Sequence, residues 1–253
     1  MNDFINGIHY GGPGFTDIFP DTPEYKYKYH DSPLGPTGLE QADALFERLG
    51  DLIGGKEGAE EALSLGKSHT NFLDELDLVV VSPLTRALQT LEIGLYPHIK
   101  SRDIPIVAVP QASERLYMVS DIGKPRSELE RAYEYVDFES GFDPSMKKDD
   151  PWHWIPTEEE ATNYNEWRPH GEGQNYAQLG EIEERFDTRM NELHRWLHSR
   201  EEKMIAVVCH YGVIDWMLQE GFENCELRVV PFERLKPRAL AAVNEFETQP
   251  VPR

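Results

Sequence analysis

Basic residues and cysteine are both scarce in this 253-residue chain. Its two cysteines, Cys209 and Cys225, are too few for a disulfide framework or a cysteine metal cluster. Lysine and arginine total 25 against 46 aspartates and glutamates, which gives a formal net charge of −21. A surface of that charge repels the phosphates of nucleic acids and of anionic membranes, so neither is expected as a partner. Any anion-binding pocket must therefore depend on a few local cations.

Long apolar segments are also lacking. No stretch approaches the ~18 apolar residues that a membrane span requires. The first residues, MNDFINGIHYGG, have neither the basic nor the apolar region of a signal peptide. These features predict a cytoplasmic protein without a membrane partner, and they leave the oligomeric state open.

Short β-rich apolar runs alternate with helical patterns along the chain. The predicted strands are Leu76–Val81, Ile104–Val109 and Met204–Cys209. Apolar residues at steps of three and four predict helices at 38–50, 85–95, 177–200 and 213–222. This alternation is typical of an α/β fold, here a three-layer α/β/α sandwich with a mainly parallel sheet and helices on both faces. One domain over residues 1–253 is expected. The first helix is predicted to bury Leu39, Ala42, Leu45, Phe46 and Leu49.

The segment at 139–176 is long, polar and rich in tryptophan, tyrosine and proline. It is predicted to be a cap or insertion above the carboxyl ends of the strands. Its aromatic residues either pack the cap on the core or form an apolar wall for an organic substrate. His153 and His170 within it are predicted to lie on the surface, and His30 in a loop. Its tryptophans and tyrosines are Trp152, Trp154, Tyr164, Trp167 and Tyr176.

Three polar residues follow the three predicted strands. Arg86 follows the first strand, Glu114 follows the second, and His210 ends the third. Ligands of parallel α/β sheets gather at the carboxyl ends of the strands, so these side chains are expected to converge on one crevice. An arginine, a carboxyl and a histidine together suit acid/base chemistry on an anionic small molecule.

The sequences around these residues carry recognisable motifs. Arg86 lies in SPLTRALQT, His210 lies in VVCHYGVIDWML, and the earlier segment HDSPLGPTGLEQA begins at His30. Glu114 is followed seven residues later by Asp121 in SDIG, and FENCELR follows the His210 segment. Taken in their order along the chain, the motifs resemble those of the histidine phosphatase superfamily (phosphoglycerate mutase-like, branch 1) over roughly residues 30 to 235.

The resemblance implies a phosphoglycerate mutase-like fold and hydrolysis of a small phosphomonoester without metal or cofactor. In that family a neutral histidine attacks phosphorus and becomes a phosphohistidine. Arginines and a second histidine hold the phosphoryl oxygens, where charge develops in the transition state. A carboxylic acid protonates the leaving oxygen and then accepts a proton from water. By resemblance, Arg86 and His210 are phosphate-pocket residues and Glu114 is the general acid/base.

The first motif of the family, an Arg-His-Gly triplet, is missing from this chain. The best candidate for the nucleophile is His9 in GIHYGGPGF, where Ile8 stands in place of the arginine and Tyr10 in place of the glycine. Tyr211 likewise replaces the glycine after His210. We therefore count Tyr10 and Tyr211 among the candidate substrate-binding residues.

These departures leave three hypotheses. The first is a phosphatase that uses His9 as its nucleophile. The second is a co-opted enzyme, such as a dehydratase, cyclase or hydrolase, in which His210 and Glu114 act as an acid/base pair and Arg86 binds a less charged substrate. The third is a pseudophosphatase that binds a small molecule without turnover.

Overall fold

The computed structural model describes residues 30–63, 71–116, 119–153, 181 and 183–235. His9 and Tyr10 lie outside the described residues. The predicted cap is described only from 139 to 153, so His170 and four of its five tryptophans and tyrosines also lie outside the described residues.

Three parallel strands form the described sheet. They are β1 (Leu78–Val81), β2 (Ile106–Ala108) and β3 (Ile205–Val208), in the order β2-β1-β3. Val79 of β1 is paired with a residue of each neighbour. The parallel sheet with intervening helices confirms the α/β class.

Each strand is shorter than the apolar run that predicted it. The first begins only at Leu78 because Leu76 caps the C-terminus of a short helix. The second begins after Pro105, whose nitrogen has no hydrogen to donate to a strand ladder. The third ends at Val208, before Cys209.

Helices precede and follow the strands. The longest, α1, runs from Pro36 to Ile53 and begins with a proline at its first position, where the missing N–H costs no helical bond. The residues that α1 buries are Gly38, Ala42, Leu45 and Leu49. Leu39 lies outside this buried face and is 39% exposed. The prediction that Leu39 is buried was wrong. The other α-helices of the described residues are α2 (Ala59–Ala62), α3 (Phe72–Glu75), α4 (Thr85–Thr90), α5 (Tyr96–Ile99), α6 (Arg126–Ala132), α7 (Glu183–His198) and α8 (Tyr211–Leu218), with a π-helical turn at Leu91–Leu95.

Alternate side chains of β1 enter two separate apolar cores. Val79 and Val81 belong to the core that also contains residues of α1, α3 and α4. Leu78 and Val80 belong to the core that contains the apolar stripe of α7 and residues of α8. Each face of the sheet is therefore covered by helices of its own. Within the described ranges, no helix combines the length and the apolar character needed to cross a membrane.

Trp152 is the tryptophan of the predicted cap that the structure describes. Its ring is buried in the first core and meets Phe142 edge-on at 6.3 Å between ring centroids. Its Nε1–H donates to the Lys124 carbonyl at 2.8 Å. Trp152 thus packs this part of the segment onto the domain.

Candidate functional site

Arg86 lies in the first turn of α4, just beyond the carboxyl end of β1. Its side chain is only 19% exposed. One guanidinium nitrogen donates to the Ser120 carbonyl and the other to Asp121 Oδ1, both at 2.9 Å. The guanidinium of Arg86 is therefore held against the protein and does not extend into solvent. Asp121, seven residues after Glu114, is the partner that fixes the guanidinium.

Glu114 lies in the loop that follows β2. Its Oε1 accepts from the Arg115 N–H at 2.8 Å, and its Oε2 accepts from the Gly212 N–H at 3.3 Å. Burial, and then repulsion by Asp121, raise the pKa of this carboxyl above its usual range, although Arg86 and the two N–H donors oppose that change. A carboxyl with a raised pKa is suited to give up a proton near neutral pH.

Gly212 brings the start of α8 unusually close to this carboxyl. A Cβ placed on residue 212 would lie 2.3 Å from Oε1 of Glu114, which is far inside van der Waals contact. Glycine is therefore required here for the close approach of the α8 backbone to the carboxyl.

His210 immediately precedes α8, and its side chain is buried. Its Nε2 lies 2.8 Å from the Ser82 hydroxyl at the end of β1. Burial holds the pKa of this imidazole well below its ordinary value, and the positive charges of Arg86 and Arg189 add to the effect. The ring is therefore neutral at pH 7 in this pocket. Tyr211, next along the chain, is 61% exposed.

Three of the predicted site residues are thus brought together. The charge of Arg86 acts on both Glu114 and His210, and the Glu114 carboxyl contacts the backbone two residues beyond His210. Ser82 adds a further link, because its hydroxyl also lies 3.4 Å from that of Ser113 in the loop after β2. The carboxyl ends of all three strands therefore meet at one polar crevice.

Sequence reasoning missed the role of Asp31. This buried residue has a φ of 43°, in the left-handed region that aspartate tolerates better than most residues. Its carboxylate accepts from the Thr85 N–H at 2.8 Å and from the Thr85 hydroxyl at 2.6 Å. Asp31 thereby fixes the first turn of α4, which carries Arg86. The sequence offered one signal for this role, namely the position of Asp31 within the motif HDSPLG.

Arg189 on α7 was also missed, because the helical pattern assigned it to the polar face. Its guanidinium forms a short ion pair with Glu181 at 2.6 Å, and Glu181 is only 2% exposed. The remaining donors bond the carbonyls of Gln111, Ser113 and Glu114 at 2.9, 2.8 and 3.2 Å. This pair therefore holds the loop on which Glu114 lies.

The described part of the chain offers no arrangement of side chains suited to bind a metal ion. No group of three or more histidine, cysteine, aspartate or glutamate side chains there is arranged to hold a metal ion. The crevice has the parts of an acid/base site, namely a fixed cation, a carboxyl of raised pKa and a neutral imidazole.

Comparison with known proteins gives one weak similarity. The chain is 28% identical over 82 residues to a probable phosphatase of Schizosaccharomyces pombe. The match covers 32% of this chain and 38% of the yeast protein. No protein-family model matches the chain.

Proposed function

We propose that the protein is a phosphomonoesterase of the histidine phosphatase type, with the three-layer phosphoglycerate mutase-like fold. The observation that carries the proposal is the convergence of Arg86, Glu114 and His210 at the carboxyl ends of three parallel strands. The motifs around these residues and the weak similarity to a probable phosphatase of yeast point in the same direction. His9 is the proposed nucleophile on the strength of the sequence.

The proposed reaction has two steps. In the first, a ring nitrogen of His9 attacks phosphorus, the bond from phosphorus to the leaving oxygen breaks, and Glu114 gives its proton to that oxygen. In the second, water attacks the phosphohistidine, the P–N bond breaks, and Glu114 takes a proton from the water. Arg86 and His210 donate hydrogen bonds to the phosphoryl oxygens in both steps.

An aryl phosphate assay tests this proposal. Wild-type protein should hydrolyse p-nitrophenyl phosphate and form a phosphoenzyme that is labile in acid and stable in alkali. Glu114→Gln should lower kcat by ~10²- to 10⁴-fold, the usual contribution of a positioned acid/base. Glu139→Gln is the matched control, because its side chain is 84% exposed. Absence of turnover, of phosphoenzyme and of vanadate binding in the wild type would contradict the proposal.

Co-opted acid/base chemistry on a less charged substrate is the second candidate. The observation that favours it is the pairing of Arg86 with Asp121, which offsets the positive charge available for a phosphate dianion. This hypothesis predicts that His210→Ala and Glu114→Gln abolish conversion of the native substrate while His9→Ala has little effect. Equal losses in all three variants would return His9 to a central role and favour the phosphatase.

A further inference from the structure

Ser82 is fully buried just beyond the carboxyl end of β1. Its N–H donates to the Val208 carbonyl at 3.0 Å, which extends the pairing of β1 with β3 by one residue. His210 follows two residues after Val208, and its Nε2 lies 2.8 Å from the Ser82 hydroxyl oxygen. The backbone of the sheet therefore holds this serine against the imidazole.

The Ser82 hydroxyl has two neighbours that could take its proton. One is Nε2 of His210 at 2.8 Å, and the other is the hydroxyl oxygen of Ser113 at 3.4 Å. The Ser82 oxygen itself accepts from the Leu84 N–H at 3.3 Å. A serine hydroxyl carries a single proton, so it can form a full hydrogen bond to only one of the two neighbours.

The distances favour the imidazole as the acceptor. Hydroxyl donors usually lie within ~3.0 Å of their acceptors, so the contact with Nε2 has an ordinary length and the contact with Ser113 is long. In the opposite arrangement, Nε2–H would donate to Ser82, and the serine proton would have only the distant Ser113 oxygen as a partner. Such a poorly bonded hydroxyl is costly in a fully buried position.

The direction of this bond decides which nitrogen of His210 carries the proton. The ring is neutral, because burial and the charges of Arg86 and Arg189 lower its pKa, and a neutral imidazole has one N–H. If Nε2 accepts from Ser82, that N–H is at Nδ1. Among the described residues Nδ1 has no hydrogen-bond partner, and it is not one of the buried polar atoms that lack one. Nδ1 is therefore the nitrogen that is available to a ligand in the crevice.

We propose that Ser82 is a positioning residue that fixes the Nδ1–H tautomer of His210, so that this imidazole acts in the crevice as a hydrogen-bond donor. The catalytic consequence rests on the proposed function, in which His210 donates to a phosphoryl oxygen. The other tautomer would present a lone pair to an oxygen on which negative charge develops, and it would lose that stabilisation. Ser82 acts only through His210 and does not touch the substrate.

Histidine-selective ¹⁵N NMR of the full chain at pH 7.5 reads the tautomer, because protonated and unprotonated ring nitrogens differ strongly in chemical shift. The chain has nine histidines, so the His210→Gln variant identifies the signals of His210 by their absence. Wild type should carry the proton on Nδ1. In Ser82→Ala the donor to Nε2 is lost, and the proton should move wholly or partly to Nε2. Ser113→Ala, which spares the contact between Ser82 and His210, should keep the wild-type tautomer.

The aryl phosphate assay measures the effect on catalysis. Ser82→Ala should lower kcat at least ~10-fold, since loss of one donor to the developing charge typically costs ~10²- to 10³-fold and part of the population keeps the favourable tautomer. KM should change less than kcat, because this charge grows in the transition state. Ser82→Thr retains a hydroxyl and should restore the tautomer and most of kcat. Ser145→Ala, on the exposed surface, is the control that should leave kcat unchanged.

The outcomes separate this proposal from the proposed function. If wild type hydrolyses aryl phosphate but carries the proton on Nε2, or if Ser82→Ala keeps the wild-type tautomer, the positioning role is refuted and the phosphatase stands. An unchanged kcat in Ser82→Ala with an altered tautomer would refute the catalytic consequence. If the tautomer behaves as expected but wild type hydrolyses no aryl phosphate, the phosphatase is refuted and the role of Ser82 in fixing the tautomer stands. Circular dichroism checks the fold of each variant, and the wild-type spectrum tests the proposal even if Ser82→Ala does not fold.

Discussion

The protonation of His153 should make the protein less stable in mild acid. Burial lowers the pKa of this imidazole from 6.5 to about 4, and nearby His30 adds to the effect. The unfolded chain, with the ordinary pKa, binds a proton more readily than the folded chain does. Stability is therefore complete above pH 6.5 and is lost as the pH falls from 6.5 toward 4.

The size of the effect follows from proton linkage. With these two pKa values, protonation of the unfolded chain at pH 5 costs ~2 kcal/mol of folding free energy relative to pH 7.5. His153→Phe keeps the ring shape and its packing beside Trp152 but removes the titration. The variant should lose ~2 kcal/mol less than wild type between these two pH values, whatever its stability at pH 7.5.

Urea unfolding at pH 7.5, 6.0 and 5.0 measures this difference. The lowered pKa values of His30 and His210 also contribute to the acid sensitivity, but both residues remain in the variant. The comparison of wild type with His153→Phe therefore isolates one residue, apart from its electrostatic coupling to His30. Parallel pH dependences in the two proteins would refute the burial argument.

Two further perturbations act on the support of Glu114. Gly212→Ala should lower kcat for aryl phosphate at least ~10-fold, because the added Cβ would lie 2.3 Å from Oε1 of Glu114 and must displace that carboxyl. The control is Gly221→Ala, whose Cβ meets nothing within 4 Å and which should leave kcat unchanged. Equal kcat values in the two variants would contradict the geometry. Arg189→Met should lower the free energy of unfolding in urea by ~3–5 kcal/mol, since Glu181 would remain buried without its partner. A decrease below ~1 kcal/mol would show that the ion pair does not hold the loop.

The sheet and the residues at the ends of its strands could be predicted from the sequence, because each depends on a short local sequence pattern. Valine-rich runs such as 79–81 are buried on both sides of a parallel sheet, and they stand out without knowledge of their neighbours. The rule that ligands gather at carboxyl ends then brings Arg86, Glu114 and His210 together. No long-range contact had to be known for either step.

The residues that support the site, such as Asp31 and Arg189, could not be predicted, because each acts through a partner far away in the sequence. Asp31 bonds Thr85 across 54 positions. Arg189 lies 75 residues or more from the three carbonyls it holds, and on a helical wheel it is indistinguishable from a solvent-exposed arginine. His153 was predicted to lie on the surface with the polar segment around it, whereas the structure shows it partly buried next to the buried ring of Trp152.

The charge balance of the crevice links these observations to the proposed substrate. Asp121 pairs with Arg86, burial favours the neutral form of Glu114, and His210 is neutral, so these groups alone present little net positive charge to a dianion. Ile8 stands where the Arg-His-Gly motif of the family that the sequence resembles has an arginine. Lys124 Nζ lies 3.3 Å from the Thr85 hydroxyl at the start of α4, but that hydroxyl donates to the Asp31 carboxylate, so the charge of Lys124 is opposed by a nearby anion.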